Sequence, residues 1–204
     1  MRRTKEDAAL TRENLLDAAL ASFHAKGFME TTLDDIAHKA GTTRGAIAWH
    51  FGSKAELLNA VIRERYIRAT TRMLAVQAQG GTPLQVLRRV LHYWMSYIEE
   101  DPEFRAIHEI TLQTPISAEL ADGIREKVEG IRRSVAYFAG LIQRAIDAGE
   151  IRPEVNPEVA ATTALGMTNG ISMIWLLDPT AFSLKARAGE MVDLLLHGLA
   201  KATP

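Results

Sequence analysis

Apolar residues recur along the chain at helical spacing. Leu16, Ala19, Leu20 and Phe23 form one i, i+3, i+4, i+7 set, and Leu33, Ile36, Ala37 and Ala40 form another. Runs of period-two alternation rich in Val, Ile and Thr are missing, so the pattern predicts helices and no strands. Proline marks where helices begin. Thr82-Pro83, Asp101-Pro102 and Asn156-Pro157 each set a capping side chain before a proline. Proline's fixed φ suits the first helical turn, and its missing N–H costs nothing there. Thr82 with Gln85 and Ser53 with Glu56 have the spacing of capping boxes. Asp178-Pro179 breaks a late apolar stretch. The pattern predicts an all-α chain of about nine helices, at roughly 8–26, 32–40, 43–50, 54–79, 83–99, 102–113, 117–148, 157–177 and 184–201. The first three are short and the rest mostly long. The one candidate domain boundary therefore lies near residue 52, between a head (1–52) and a helical body (53–204).

Composition narrows the classes. The 204 residues are 47% hydrophobic and 24% charged, which excludes a disordered or collagen-like chain. There is no cysteine, so disulfides, cysteine–zinc sites, iron–sulfur clusters and thiol catalysis are excluded together. The six histidines (24, 38, 50, 92, 108 and 197) show no ligand spacing, and no metal or cofactor is expected. No phosphate loop, nucleophile motif or carboxylate pair points to an enzyme. Residues Met1 to Asp7 are polar with no apolar stretch behind them, unlike a signal peptide. The longest apolar run, Ile171 to Leu177 interrupted by Ser172, falls far short of the ~20 residues that cross a bilayer. A cytoplasmic protein with no membrane partner is expected.

The net charge is −1, so no bulk positive field attracts nucleic acid. Residues 1–54 hold eight basic and seven acidic side chains, and the remainder 16 and 18. DNA binding would have to use a small local surface. Residues 32–51 supply one. Thr32 can cap a short helix that buries Leu33, Ile36 and Ala37. Gly41 follows where a chain leaving a helix often needs positive φ, and Thr43 can cap a second short helix. Two short helices across a glycine turn make a helix-turn-helix. On the second helix, about 43–50, Ile47 and Phe51 form one apolar row. The other rows carry Arg44/Ala48, Gly45/Trp49 and Ala46/His50, and three of these six positions are tiny. A helix that only packs has no need of this, whereas small residues let a backbone approach bases in the major groove. Arg44 is placed for a guanine edge. His50 and Lys54 can meet phosphate, and Thr32 and Thr43 can offer hydroxyls or helix-start N–H groups. A plain helical pair remains the alternative.

Ile36-Ala37, Ala40-Gly41, Thr43-Arg44-Gly45-Ala46-Ile47, Trp49-His50-Phe51 and Ser53-Lys54-Ala55-Glu56-Leu57-Leu58 resemble the DNA-binding segment of TetR-family regulators. The Arg-Gly-Ala-Ile-x-Trp-His-Phe form is similar to that of AcrR-type repressors of multidrug efflux genes. The resemblance is specific over roughly residues 9–65, including Ala18-Ala19, Phe23 and Gly27-Phe28. Two positions depart from it. Ala48 stands where the family usually has a tyrosine that contacts DNA, and Thr42 replaces the usual valine. The Arg2-Arg3-Thr4-Lys5 arm resembles the basic arm of AcrR-type relatives, with a plain tail as the alternative.

The resemblance implies a ligand cavity among the middle helices and a dimer interface from the last two. Val159, Thr163, Gly166, Met167, Gly170 and Ile174 form a stripe at helical spacing, and small residues in it allow close helix approach. The last helix is apolar on more than one face, with Met191, Leu195 and Leu199 among its apolar residues, so it wants partners on several sides. Its own core is the alternative partner. Trp94, Met95, Ile98, Phe104, His108, Leu112, Phe138, Ile142, Asn169 and Met173 are candidate cavity residues, since Met and aromatic side chains suit varied apolar ligands. They suit a plain core equally well. His108 and Asn169 need polar partners, from a ligand or from the chain.

The resulting expectation is a homodimeric, ligand-responsive DNA-binding transcriptional repressor, of an efflux pump or similar operon. A small apolar or aromatic ligand would release it from double-stranded operator DNA, with the helix at 54–79 as the lever. A coupling of ~1–3 kcal/mol would lower operator affinity ~5–150-fold. The alternative is a helical ligand- or partner-sensing module with weak or no DNA binding, given Ala48.

Overall fold

A computed structural model describes residues 5–114 and 120–199. Among them are nine helices and no strand: α1 (Lys5–Glu30), α2 (Leu33–Lys39), α3 (Arg44–Phe51), α4 (Lys54–Gln77), α5 (Pro83–Glu100), α6 (Pro102–Gln113), α7 (Ala121–Asp147), α8 (Pro157–Leu177) and α9 (Leu184–Leu199). The Arg2-Arg3-Thr4 part of the arm and the predicted start of the seventh helix at 117 lie outside the described residues. The caps form as the spacing predicts. Thr82 and Gln85 close a capping box, and Asn156 Oδ1 accepts from the N–H groups of Glu158 and Val159. Inside α1, Gly27 takes φ 80°, a left-handed conformation that ends the regular helix close to the predicted residue 26.

The chain divides into two compact units. Unit 1 comprises residues 1–68 and 103–125, and unit 2 comprises 69–102 and 126–204. These packing units and the sequence boundary near residue 52 cut the chain differently, because unit 1 takes in α4 as far as Arg68 and the whole of α6.

The interior of unit 1 contains Leu15, Leu16, Ala19 and Phe23 of α1, Ile36 and Ala37 of α2, Ile47 and Phe51 of α3, and Leu57 and Val61 of α4, all buried. One charged side chain is buried with them. Arg65 is 2% exposed; its Nη2 donates to Asp17 of α1 and its Nε lies 3.0 Å from a Glu103 oxygen of α6.

In unit 2, α5 packs on both α8 and α9. Leu87, Val90, Leu91 and Met95 of α5 join Phe138, Leu141 and Ile142 of α7, Ala160, Ala161 and Ala164 of α8, and Ala188, Val192 and Leu196 of α9 in one core. Polar contacts fix the register of α5 against α9. Arg88 grips Asp193 through two N–H groups at 2.6 and 2.9 Å, and the Glu99 carboxylate accepts from Ser183 Oγ and Lys185 N at the start of α9. Forked charge-assisted bonds of this kind hold direction as well as distance.

Helix α8 corrects the sequence expectation drawn from its longest unbroken run. Over its full 21 residues it is long and apolar enough to cross a bilayer by length and composition, because small residues interrupt the run without adding charge. One side of it, Ala160, Ala161, Ala164, Thr168, Ser172 and Trp175, is buried. The opposite side is exposed, including Val159, Met173, Ile174 and Leu177.

Candidate nucleic-acid interface

Helices α2 and α3 form the predicted helix-turn-helix. Thr32 caps α2 through its side-chain oxygen, which accepts from Asp35 N, and Asp35 answers by accepting from Thr32 N at 3.0 Å. This bond from the Thr32 backbone, together with one from Lys26, holds the Asp35 carboxyl well below the usual carboxylate range. The acid also sits at a helix N-terminus, where a negative charge is favoured. After Ala40 the chain turns through Gly41 at φ 61°, the left-handed position expected there. Thr43 then caps α3 by accepting from Ala46 N.

The two faces of α3 divide as its sequence predicts. Ile47 and Phe51 are buried, and Arg44, Gly45, Ala48 and Trp49 are exposed, with Ala46 and His50 half-buried. Trp49 is 73% exposed, its ring edge-on to His50. A tryptophan so placed leaves most of its ring to solvent. Arg44 has one carboxylate near it, Asp34 at 3.4 Å, with both side chains about two-thirds exposed. An exposed pair at that distance is worth little, so Arg44 can leave it readily. A Cβ added at Gly45 would meet only Thr43 Oγ1, at 3.7 Å, so the glycine is not demanded by packing. Thr32 and Thr43 are exposed at the starts of the two helices.

Lys54, expected beside phosphate, has its ammonium engaged within the chain. It donates to three backbone carbonyls, Phe28 at 2.9 Å, Thr31 at 3.1 Å and Met29 at 3.3 Å, and lies 4.5 Å from the centre of the Phe28 ring. An ammonium has three donors, and all three are used.

The candidate ligand residues separate into several environments. In unit 1, Phe104 is buried, Leu112 is 44% exposed and His108 is bonded within the chain, its Nδ1 to Phe104 O at 2.8 Å and its Nε2 to Tyr66 Oη at 3.1 Å. Tyr66, Phe104 and His108 form an aromatic cluster, with Tyr66 edge-on to Phe104 at 5.2 Å. Sequence reasoning missed Tyr66, although its offset of 42 residues from His108 leaves no periodic signal to find it by. In unit 2, Met95, Phe138 and Ile142 are core residues with Trp94 packed against them, and Ile98 is buried. Asn169 and Met173 lie on the exposed side of α8 and are not brought to that core.

The candidate interface stripe lies on that same side. Val159, Thr163, Gly166, Gly170 and Ile174 are exposed, whereas Met167, Met191, Leu195 and Leu199 are half-buried against the unit 2 core. Leu194, among the apolar residues of the last helix, is 77% exposed on α9. A Cβ at Gly166 or Gly170 would meet no atom within 4 Å.

An exposed recognition helix on a short helix-turn-helix, followed by a long helical body, defines a DNA-binding regulator. Comparison with known proteins makes the class specific. Residues 15–61 match the bacterial regulatory proteins of the tetR family, and residues 82–201 match the C-terminal region of MAATS-type transcriptional repressors. The HTH-type transcriptional regulator AcrR of Shigella flexneri is 31% identical over 198 residues, 96% of this chain and 92% of its own length. The structure of NalD, secondary repressor of the MexAB-OprM multidrug efflux pump in Pseudomonas aeruginosa, superposes with a TM-score of 0.82 at 26% identity, covering 95% of this chain and 98% of NalD. SmeT, repressor of the Stenotrophomonas maltophilia efflux pump SmeDEF, gives a TM-score of 0.77 at 30% identity over 93% of this chain and 90% of its own, and is also known in complex with triclosan. The chain belongs to the TetR family and is a DNA-binding transcriptional regulator with a repressor-type C-terminal region.

Proposed function

We propose that this regulator represses an efflux-pump or similar operon and is released from its operator by a small apolar or aromatic ligand. The observation that carries the DNA side is α3 itself. It presents Arg44, Gly45, Ala48 and Trp49 outward, with Ala46 half-buried beside them, and its own packing does not require the glycine. Thr32, Thr43 and His50 stand beside it for phosphate contacts. Residues 1–52 are the DNA-contacting part, and residues 53–204 bind ligand and dimerise. The efflux target and the apolar class of ligand are supported by the kinship with AcrR, NalD and the triclosan-bound SmeT.

A homodimer is supported by the outward side of α8. Val159, Ile174 and Leu177 are each more than 60% exposed. At Gly166 and Gly170 no described residue comes within 4 Å of an added Cβ, which suits the close approach of a partner helix. A second copy would cover this apolar side and present two recognition helices to half-sites one DNA turn, ~34 Å, or a multiple apart.

The test is a gel-shift titration on a duplex covering the DNA upstream of the chain's own coding region. Wild type should retard it, Arg44→Ala should not at the same concentration, and triclosan should reverse the retardation. No retarded DNA near the gene would defeat the repressor reading in favour of a sensing module. Retardation that resists triclosan and related apolar compounds would defeat the ligand class.

A further inference from the structure

We propose that Lys54 is a positioning residue that orients the recognition helix by tying the two ends of the helix-turn-helix together. The inference rests on the DNA-binding reading above. Lys54 is the first residue of α4, in a helix start already capped by Ser53 and Glu56, which exchange hydrogen bonds at 3.1 and 3.2 Å. A cation in a first turn opposes the helix dipole, and position 54 is therefore locally unfavourable for lysine. The ammonium compensates elsewhere. It is held by the carbonyls of Phe28 and Met29, just past the Gly27 turn that ends the regular part of α1, and lies against the face of the Phe28 ring.

Its bond to Thr31 O reaches further. Thr31 stands just before the Thr32 cap of α2, and Lys54 is parted from the end of α3 by Gly52 and Ser53, so this one contact, between residues 23 positions apart, closes the segment that holds both short helices. Thr31 is itself anchored. It is 1% exposed, and its hydroxyl donates to Gly27 O at 2.7 Å. The far end is short and bent, with Gly52 at φ 81° between α3 and Ser53. Arg44 and Trp49 are therefore presented by a helix whose exit is fastened, through Lys54, to its own segment's entry. Geometry of this kind governs affinity because base contacts tolerate little misplacement.

Three convergent carbonyls suit a compact ammonium with three donors. A planar guanidinium cannot repeat that arrangement, although it would serve a phosphate equally well. The experiment compares wild type, Lys54→Arg and Lys54→Met by gel shift on the upstream duplex across a range of salt, with folded fraction checked by circular dichroism. Both variants should bind about tenfold or more weakly, with the same salt slope as wild type. Full affinity in Lys54→Arg, with a slope lowered by about 0.9 in Lys54→Met, would make Lys54 a phosphate contact and overturn the proposal. Lowered melting temperature with unchanged affinity of the folded protein would reduce Lys54 to a stabilising residue and also overturn it. Should Lys54→Met fail to fold, Lys54→Gln, which keeps two donors, carries the same comparison. If wild type retards none of this DNA, the operator reading and the clamp fall together. If wild type and Lys54→Arg bind alike, only the clamp falls.

Discussion

Arg65 Nη2 stands 2.6 Å from Asp17 Oδ1, so a guanidinium that is almost wholly buried fastens α4 to α1. Removing one partner of a buried pair costs ~3–5 kcal/mol when both are desolvated. Asp17 is half-exposed and Glu103 still faces Arg65, which moderates the loss. Asp17→Asn is expected to lower unfolding stability by about 1–3 kcal/mol, read from the urea midpoint. A change within about 0.5 kcal/mol would mean that Glu103 compensates Arg65 unaided.

Gly45 separates the demands of folding from those of DNA. Its Cβ position is open, so Gly45→Ala should raise helix stability by about 0.5–1 kcal/mol. The same methyl should hold the α3 backbone away from the bases and weaken operator binding. Thermal melting and gel shift on one preparation give both readings. Unchanged DNA affinity would show that this face of α3 does not enter the groove.

Arg44→Ala should cost about 1–3 kcal/mol of operator binding and relax preference at one base pair, with no change in melting temperature, since its pair with Asp34 is exposed and weakly held. Ala48→Tyr places a large side chain on the same exposed face, where the family usually has one, and tighter binding is expected. Weaker binding by Ala48→Tyr would mean that α3 docks in a different orientation.

Gly166→Leu tests the outward side of α8. Among the described residues no atom lies within 4 Å of a Cβ at 166, and leucine favours helix over glycine by about 0.8–1 kcal/mol, so a monomer should fold at least as stably. Sedimentation should nevertheless show loss of the dimer, and gel shift the loss of specific binding. A variant that remains dimeric would move the interface away from α8.

The depressed Asp35 carboxyl gives a pH dependence. Its folded-state pKa lies below that of the unfolded chain, so the stability it contributes is present above the unfolded value of ~3.9 and is lost as pH falls toward the folded one. Acid titration of wild type should therefore show a steeper fall below about pH 4 than Asp35→Asn, which cannot titrate. Parallel curves would remove Asp35 from the acid response.

Much of this regulator is legible from residues close together in sequence. Helix spans, the Gly41 turn, the capping boxes at Thr82 and Ser53, and the buried row of Ile47 and Phe51 all depend on interactions reaching four residues or fewer. For those, spacing is the physics. The Thr32–Asp35 box is equally local, with an aspartate where the usual pattern has glutamate or glutamine. Contacts across longer separations had no such signature. Lys54 reads from its position as a cation free for phosphate, yet folding delivers it to carbonyls 23 to 26 residues away. Arg65 reads as one more charge on an amphipathic helix, and packing buries it between Asp17 and Glu103. The α8 stripe shows the same divide. Its small and apolar residues are evident in the sequence, but which of them face outward depends on how α5 and α9 cover the opposite side. A periodic pattern specifies that a face exists. Which face is covered, and which donor meets which acceptor, follows from long-range packing that brings distant segments together.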